Sequence, residues 1–338
     1  MNAVIDRFDG RTAASTLALR VRAVRKAAAD IRLFELVSAD GNALPPWSPG
    51  AHLRLHLPHG LVRAYSLCNT PQQRDCYVIA VKREPASRGG SAFLHEQVEE
   101  GATLTAAPPV NAFPLLADAR APLLLAAGIG ITPLHAMAAE LAAQGIRHRL
   151  HYFARTLAHA AFFHELAACS QGMSLHLGLD DAQTAGAIAA ALAAVPRSSP
   201  LYVCGPAPFI GAARSHAQQA GWREQDIHFE LFAASAKDAA DTPSTEPMQE
   251  HPFELVLQRS GLRCEVQPGQ SIVAAAAQLG VVIGTSCGEG FCGSCESTVL
   301  EGQPWHRDSV LSAAERASGR RILPCVSRCA GARLVLDL

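Results

Sequence analysis

The sequence predicts a multidomain chain that runs β, then α/β, then α+β. Three observations set that order. Residues 1–118 hold short runs of alternating apolar and polar residues punctuated by proline and glycine, the pattern of an antiparallel β-barrel. Residues 119–232 switch to short apolar runs alternating with alanine-rich helical stretches, the pattern of a parallel sheet with helices on its faces. Residues 251–338 return to alternating strands around a glycine-rich loop with three cysteines. Between them, 233–250 is polar, holds Pro243 and Pro247, has no apolar period, and reads as an exposed linker.

Composition narrows the function classes. A length of 338 residues alone suggests about two domains, and the change of pattern raises this to three. The net charge of −1 lacks the basic surplus that nucleic acid requires. Met1–Asp9 has no apolar core of a signal peptide, and the longest plain apolar run, Ala187–Val195, is nine residues, too short for a bilayer. The expectation is a soluble, cytoplasmic protein with no membrane or nucleic-acid partner. Its ten cysteines are then kept for metal and packing rather than disulfides.

In the first unit, Leu17–Val24, Ile31–Val37 and His52–Leu57 read as strands, broken by Pro46, Pro49, Gly50, Pro58 and Gly60. Arg63-Ala64-Tyr65-Ser66-Leu67 follows. Arg63 offers a donor fork for a phosphate, Tyr65 an aromatic face for a ring, and Ser66 a hydroxyl that donates and accepts. By itself the pattern is better described as an ordinary edge strand. A second piece is Val81-Lys82-Arg83, then Ser87-Arg88-Gly89-Gly90-Ser91 ahead of a helix over Ala92–Val98. A Gly-Gly-Ser turn before a helix exposes backbone N–H groups to an anion, or is a flexible turn with Ser91 as N-cap.

In the second unit, the apolar run Ala121–Ala127 leads into Gly128-Ile-Gly130-Ile-Thr132-Pro133 and a helix over Leu134–Gln144. Strand, glycine turn and helix make a nucleotide-binding arrangement, although this is not the G-x-G-x-x-G fingerprint, and a structural tight turn is the alternative. Strands over Arg149–Ala154, Ser174–Leu179 and Leu201–Pro206 alternate with helices over Ala160–Ala168 and Gly186–Val195. Glu230-Leu-Phe232 closes the unit. Asp180-Asp181 would repel a 2′-phosphate and favour a bare ribose, whereas Arg155-Thr156 pulls the other way, so NADH is expected, with NADPH as the alternative.

In the third unit, Pro252–Gln258 and Leu262–Val266 read as a hairpin turned at Gly261, and Ser271 caps a helix over Ile272–Leu279 that Gly280 ends. Strands over Ser297–Leu300 and Arg333–Asp337 and a short helix over Ala313–Ala317 follow the loop. The loop is Cys287-Gly-Glu-Gly-Phe-Cys292-Gly-Ser-Cys295, with Cys325 in Ile322-Leu-Pro-Cys325. This is the C-x4-C-x2-C…C spacing of plant-type [2Fe–2S] ferredoxins. A zinc site fits less well, since zinc fingers favour separated C-x2-4-C pairs. Cys68, Cys76, Cys169 and Cys264 read as packing residues, and Cys329 as a small buried hydrophobe, with a spare cluster ligand as the alternative.

Taken together, Arg63–Leu67, Val81-Lys82 and Arg88–Ser91 resemble the FMN-binding barrel of the phthalate dioxygenase reductase and vanillate O-demethylase reductase family, and Pro108–Pro114 resembles the segment that closes it. Cys204-Gly205-Pro206 resembles the family's motif beside the nicotinamide. The order of the units, with the ferredoxin last, matches as well. The resemblance implies a flavin-binding antiparallel barrel, a Rossmann-like nicotinamide-binding parallel sheet and a C-terminal β-grasp ferredoxin. It implies FMN at Arg63, Ala64, Tyr65, Ser66, Val81, Lys82, Gly89, Gly90, Ser91 and Thr132, with Phe232 close to the flavin. Nicotinamide nucleotide is implied at Gly128, Gly130, Cys204, Gly205 and Pro206, and the cluster at Cys287, Cys292, Cys295 and Cys325. No residue is required as a general acid or base.

The function so implied is the reductase component of a two-component Rieske-type oxygenase, itself monomeric, serving an aromatic acid dioxygenase or O-demethylase. A nicotinamide gives two electrons as hydride, a [2Fe–2S] cluster takes one at a time, and a flavin between them converts one to the other. Other readings stay open: the same electron chain serving a carnitine- or betaine-type monooxygenase, a free-standing ferric or dye reductase, and a non-enzymatic redox sensor.

Overall fold

The computed structural model describes residues 16–58, 61–85, 89–117, 121–169, 172–232, 250–285, 290, 295–308, 311 and 313–338. The expected linker over 233–250 and the expected cluster ligands Cys287 and Cys292 fall largely outside these residues.

The alternating segments of the first third form β1 (Leu17–Ala28), β2 (Ile31–Ser38), β3 (Ala51–His56), β4 (Val62–Ser66), β5 (Tyr77–Lys82), β6 (Thr103–Ala106) and β7 (Val110–Asn111), with α1 (Gly90–Glu96) between β5 and β6. The strand order is β4-β3-β6-β1-β2-β5, with β7 added against β3. All these pairs are antiparallel. A bridge between Leu67 and Ile79 joins the two ends of the order, so the sheet closes on itself. Leu19, Phe34, Leu36, Leu53, Leu55 and Ile79 fill the interior, each without exposed surface. Helix α1 begins at Gly90, two residues before the sequence expectation. Its cap is Gly89 rather than Ser91, because Ser91 Oγ instead accepts the backbone N–H of Glu84.

The second third is β8 (Leu123–Ala127), α2 (Ile131–Ala143), β9 (Arg149–Ala154), α3 (Phe163–Cys169), β10 (Met173–Leu177), α4 (Asp181–Ala193), β11 (Leu201–Gly205), α5 (Ala207–Gln219) and β12 (Ile227–Leu231). The sheet is parallel throughout, in the order β10-β9-β8-β11-β12. The order reverses between β8 and β11, and an open α/β sheet binds ligands at the carboxyl ends of the strands flanking such a reversal. Helix α4 starts five residues earlier than the alanine run suggests. Asp180 forms a capping box with Gln183, whose N–H it accepts at 2.8 Å, and the first turn is polar, so apolar spacing does not reveal it.

Ala28, Ile31, Cys68, Ala80 and Phe113 of the barrel share one apolar core with Leu134, Met137 and Tyr152 of the parallel sheet and its helix. The opposite face of the sheet packs on α4 and α5 through Ile188, Leu192, Ile210 and Ala213. His135 of α2 meets the carbonyl of Cys68 at 2.6 Å, and the Leu116 N–H donates to the Tyr202 hydroxyl at 2.9 Å. The barrel and the sheet are therefore held together by both packing and hydrogen bonds.

The last third is β13 (Phe253–Leu257), β14 (Leu262–Val266), α6 (Ile272–Gln278), β15 (Ser297–Glu301), β16 (Pro304–Trp305), α7 (Ala313–Ser318), β17 (Arg321–Ile322), β18 (Arg328–Cys329) and β19 (Arg333–Leu336). The main order is β14-β13-β19-β15-β17, with β13 and β19 parallel and antiparallel partners on either side of them. Ser271 caps α6 by accepting the Ala274 N–H at 3.1 Å, as its sequence position predicts. Ala275 and Ala276 bury the helix against Leu255 and Leu334. Among the described residues no helix is long and apolar enough to cross a membrane.

Candidate functional site

Three pieces of the barrel that lie apart in sequence come together. Arg63 sits on β4 opposite Leu55, and a β-carbon added to Gly90 would lie 2.7 Å from Arg63 Cγ. The arginine stem thus runs across the glycine turn, at a distance that only glycine permits. Gly89 has φ +100, which side-chain-bearing residues rarely adopt. Arg63 and Ser66 are three strand residues apart, about 10 Å, enough for a phosphate at one end and a ring at the other. Tyr65 is partly buried against the barrel core, and Ala64 is exposed.

Other expected barrel residues are engaged elsewhere. Lys82 Nζ pairs with Glu84 Oε1 at 2.6 Å. The Val81 side chain is in the barrel core, and its carbonyl meets His95 Nε2 at 2.8 Å. What Val81 offers a ligand is therefore position rather than contact through its side chain.

The second cradle lies at the reversal of the parallel sheet. Gly128–Gly130 forms a single tight turn between β8 and α2. A β-carbon at Gly130 would stand 2.3 Å from the Cys204 carbonyl oxygen and 2.6 Å from Gly205 N. One at Gly205 would stand 2.8 Å from Ala127 Cβ. The two glycine motifs of the sequence are thus adjacent, each shaping the other. Pro206 caps α5 in an extended conformation and is exposed at the crevice. Thr132 is buried in the first turn of α2, and its hydroxyl donates to the Ile129 carbonyl at 3.0 Å, which fixes the turn. Phe232 lies at the end of β12, packed in part against the core shared with the barrel.

Between these cradles is a polar cluster that sequence reasoning missed. Glu230 on β12 is opposite Cys204 on β11, and it reaches the barrel. Ser66 Oγ donates to Glu230 Oε2 at 3.5 Å, and His52 Nδ1 is 3.9 Å from Glu230 Oε1. All four side chains are buried. Burial, and next the Glu230 carboxylate, push the Cys204 thiol well above its ordinary pKa, so it stays a neutral thiol. The only signal in the sequence was the position of Glu230 beside the expected aromatic Phe232; His52 had none.

In the described part of the sulfur site, two of the four expected cysteines lie together. Cys295 and Cys325 are buried, are not joined as a disulfide, and have their Sγ atoms 3.2 Å apart. A β-carbon at Gly290, φ +77, would lie 2.4 Å from Val326 Cγ2, which brings the loop against the neighbour of Cys325. Paired soft sulfur donors on a glycine-shaped loop fit an iron–sulfur cluster. Cys329 departs from that site: it is buried in the core, and its thiol donates to the Arg333 carbonyl at 3.2 Å.

Comparison with known proteins agrees with this arrangement. The 2Fe-2S iron-sulfur cluster binding domain family matches residues 255–330. The toluene-4-sulfonate monooxygenase system reductase subunit of Comamonas testosteroni is 43% identical over 320 residues, 94% of this chain and 98% of its own. The vanillate O-demethylase oxidoreductase of a Pseudomonas species is 40% identical over 321 residues, again 94% and 98%. The solved structure of phthalate dioxygenase reductase, described as modular for electron transfer from pyridine nucleotides to [2Fe–2S], superposes with a TM-score of 0.71. It is 36% identical and covers 96% of this chain and 98% of its own. The chain belongs to the phthalate dioxygenase reductase family. It is an oxidoreductase of the kind that passes electrons to an oxygenase component, with a 2Fe–2S cluster-binding unit at its C-terminal end. In a longer solved self-sufficient cytochrome P450 monooxygenase a region similar to this chain makes up 41% of the length, and in full-length CYP116B46 from Tepidiphilus thermophilus 42%.

In this reductase, the residues weighed for choice of nucleotide have other partners too. Arg155 Nη2 meets Asp30 Oδ2 of the barrel at 3.2 Å, and Asp180 caps α4. Asp181, in the first turn of α4, is exposed.

Proposed function

We propose that this chain draws electrons from NADH through FMN into its [2Fe–2S] cluster and hands them singly to the oxygenase component of a Rieske-type system. The observation that carries the reading is the meeting of Ser66 with Glu230 beside Cys204. The flavin motif of the barrel and the nicotinamide crevice of the sheet thereby open onto each other.

The chain divides, in this reading, into an FMN-binding barrel over 1–118, an NAD-binding unit over 119–232, a linker over 233–250 and a ferredoxin unit over 251–338. Arg63 and the Gly89-Gly90-Ser91 turn hold the flavin phosphate, and Lys82, paired with Glu84, belongs to the wall of the FMN site. Ala64, Tyr65 and Ser66 lie along its ring, Val81 and Thr132 back the site, and Phe232 borders it. Gly128, Gly130, Cys204, Gly205 and Pro206 receive the nicotinamide nucleotide. Cys287, Cys292, Cys295 and Cys325 ligate the cluster.

Bound there, FMN turns the electron pair of a hydride into single electrons that the cluster can carry. The work of the chain is to orient and exclude. The glycine turns let backbone approach phosphates. The neutral Cys204 thiol fills the space at the nicotinamide without placing a second negative charge beside Glu230. Ser66 and Glu230 fix a hydrogen-bonding edge at the place where flavin and nicotinamide would meet. The terminal phosphate cradle of Arg63 and Gly90 favours FMN over a flavin dinucleotide. Exposed Asp181 favours a bare ribose, hence NADH over NADPH.

An aromatic acid or aryl methyl ether is the substrate class of the partner, in keeping with the vanillate and toluene-sulfonate relatives. The reductase acts as a monomer in the cytoplasm. Rapid mixing of a Cys292→Ser variant with NADH tests the reading: flavin bleaching is expected at the wild-type rate, with delivery to an oxygenase lost. Sustained oxygenase turnover by that variant would refute it.

A further inference from the structure

Arg54 carries no role in the reading above, yet it stands where two units meet. It lies on β3, in register with Ala64 of β4, on the face opposite the core residues Leu53 and Leu55. Its backbone is pinned, since its carbonyl accepts the Ala107 N–H at 2.9 Å. Its guanidinium leaves the barrel: Nη1 is 3.5 Å from the carbonyl oxygen of Thr285. Thr285 follows Ile283, which is buried in the ferredoxin core, and precedes Cys287 by two residues. The Arg54 side chain is half-buried, and its Nε has no hydrogen-bond partner among the described residues although it is shielded from water.

A guanidinium whose Nε is shielded and unpartnered is costly unless it serves an anionic neighbour. The contact at Thr285 lies two residues ahead of Cys287, the first of the cysteines expected to hold an anionic cluster. Thiolates and sulfide carry its negative charge, and the charge grows by one on reduction. Arg54 also neighbours the exposed Ala64 in the middle of the Arg63–Ser66 motif. Its guanidinium thus spans the step from flavin-side strand to cluster-side loop.

We propose that Arg54 is the positioning residue that, through Thr285, holds the segment leading into the cysteine loop against the flavin-side face of the barrel and so sets the rate of the flavin-to-cluster step. In that step one electron leaves the reduced flavin and the oxidised cluster gains it, with no bond made or broken and no proton required of Arg54. The inference rests on the functional reading above. Its permanent cation also favours the reduced, more negative cluster, because net charge near a cluster helps set its potential.

The test uses full-length holoprotein with FMN and iron content matched. Arg54→Ala, Arg54→Lys and wild type are mixed anaerobically with NADH, and flavin bleaching and cluster reduction are followed separately. For Arg54→Ala the expected result is unchanged flavin bleaching, cluster reduction slowed tenfold or more, a more negative cluster midpoint potential, and an expanded small-angle scattering profile. Arg54→Lys, which keeps a cation and donors, is expected to recover most of the rate. Cluster reduction at the wild-type rate in Arg54→Ala would overturn the proposal, and so would slowing of flavin bleaching instead. If wild type itself fails to bleach with NADH, the functional reading fails and not the role of Arg54.

Discussion

Ser66, the last residue of a barrel strand, and Glu230, in the last strand of the parallel sheet, are 164 residues apart in sequence and meet at 3.5 Å through Oγ and Oε2. Replacing Glu230 by alanine removes the acceptor for Ser66 and the negative neighbour of His52 and Cys204. A hydrogen bond to a charged group is worth about 1.5–3 kcal/mol, and about 1.4 kcal/mol corresponds to tenfold in rate. Glu230→Ala is therefore expected to slow flavin bleaching by NADH about tenfold, with FMN content unchanged. Stopped-flow absorbance under anaerobic conditions reads this, and an unaltered rate would remove Glu230 from the site.

Gly90→Ala places a methyl group 2.7 Å from Arg63 Cγ. The arginine must swing away from the turn, so on the proposed reading a flavin phosphate would lose its guanidinium contact while the crevice at Gly130 and Gly205 is untouched. The expected outcome is FMN binding weaker by about tenfold, the scale of one charge-assisted hydrogen bond. Fluorescence titration of the apoprotein with FMN measures it. Riboflavin, which lacks the phosphate, should bind the variant and wild type alike.

Gly130→Ala meets backbone rather than a yielding side chain, because the new carbon would be 2.3 Å from the Cys204 carbonyl oxygen. Overpacking of this kind costs about 1–3 kcal/mol. The variant should melt earlier than wild type and lose affinity for NADH. Thermal unfolding and nucleotide titration check the two effects, and unchanged values in both would show that the glycine turns are not in contact.

Much of this arrangement was legible in the sequence because it is local. Arg63–Ser66 and Cys204–Pro206 are contiguous motifs, and the cysteine spacing is contained in one loop plus Cys325. The barrel and sheet strands followed from alternation and apolar runs. What sequence could not reveal depends on juxtaposition. Glu230, His52 and Arg54 sit in ordinary strand sequence and gain meaning only from what the fold sets opposite them. The early start of α4 was hidden because a capping box of Asp180 and Gln183, not an apolar period, begins that helix. Ser91 resembled a cap, but its hydroxyl oxygen accepts the Glu84 N–H, leaving the cap to Gly89.

Two histidines on neighbouring parallel strands set an acid limit. His151 Nδ1 and His176 Nε2 are 3.0 Å apart. Burial first, then the proximity of His176, lowers the His151 pKa from 6.5 to about 4, and burial lowers that of His176 as well. The unfolded chain protonates both near 6.5, whereas the folded chain resists. The unfolded state thus binds more protons as pH falls from 6.5 towards 4, and stability is lost across that window. The thermal midpoint should fall with pH there, and His151→Gln should flatten the slope. A midpoint that holds steady through the window would contradict this account of the pair.

The most direct test of the electron path is anaerobic rapid-freeze electron paramagnetic resonance on the holoprotein after mixing with NADH, followed by addition of the oxygenase. The account predicts that flavin bleaching comes first, that the signal of a reduced [2Fe–2S] cluster then rises, and that the oxygenase discharges it. Oxygenase turnover while the cluster remains oxidised, or zinc in place of iron on the four cysteines, would contradict it.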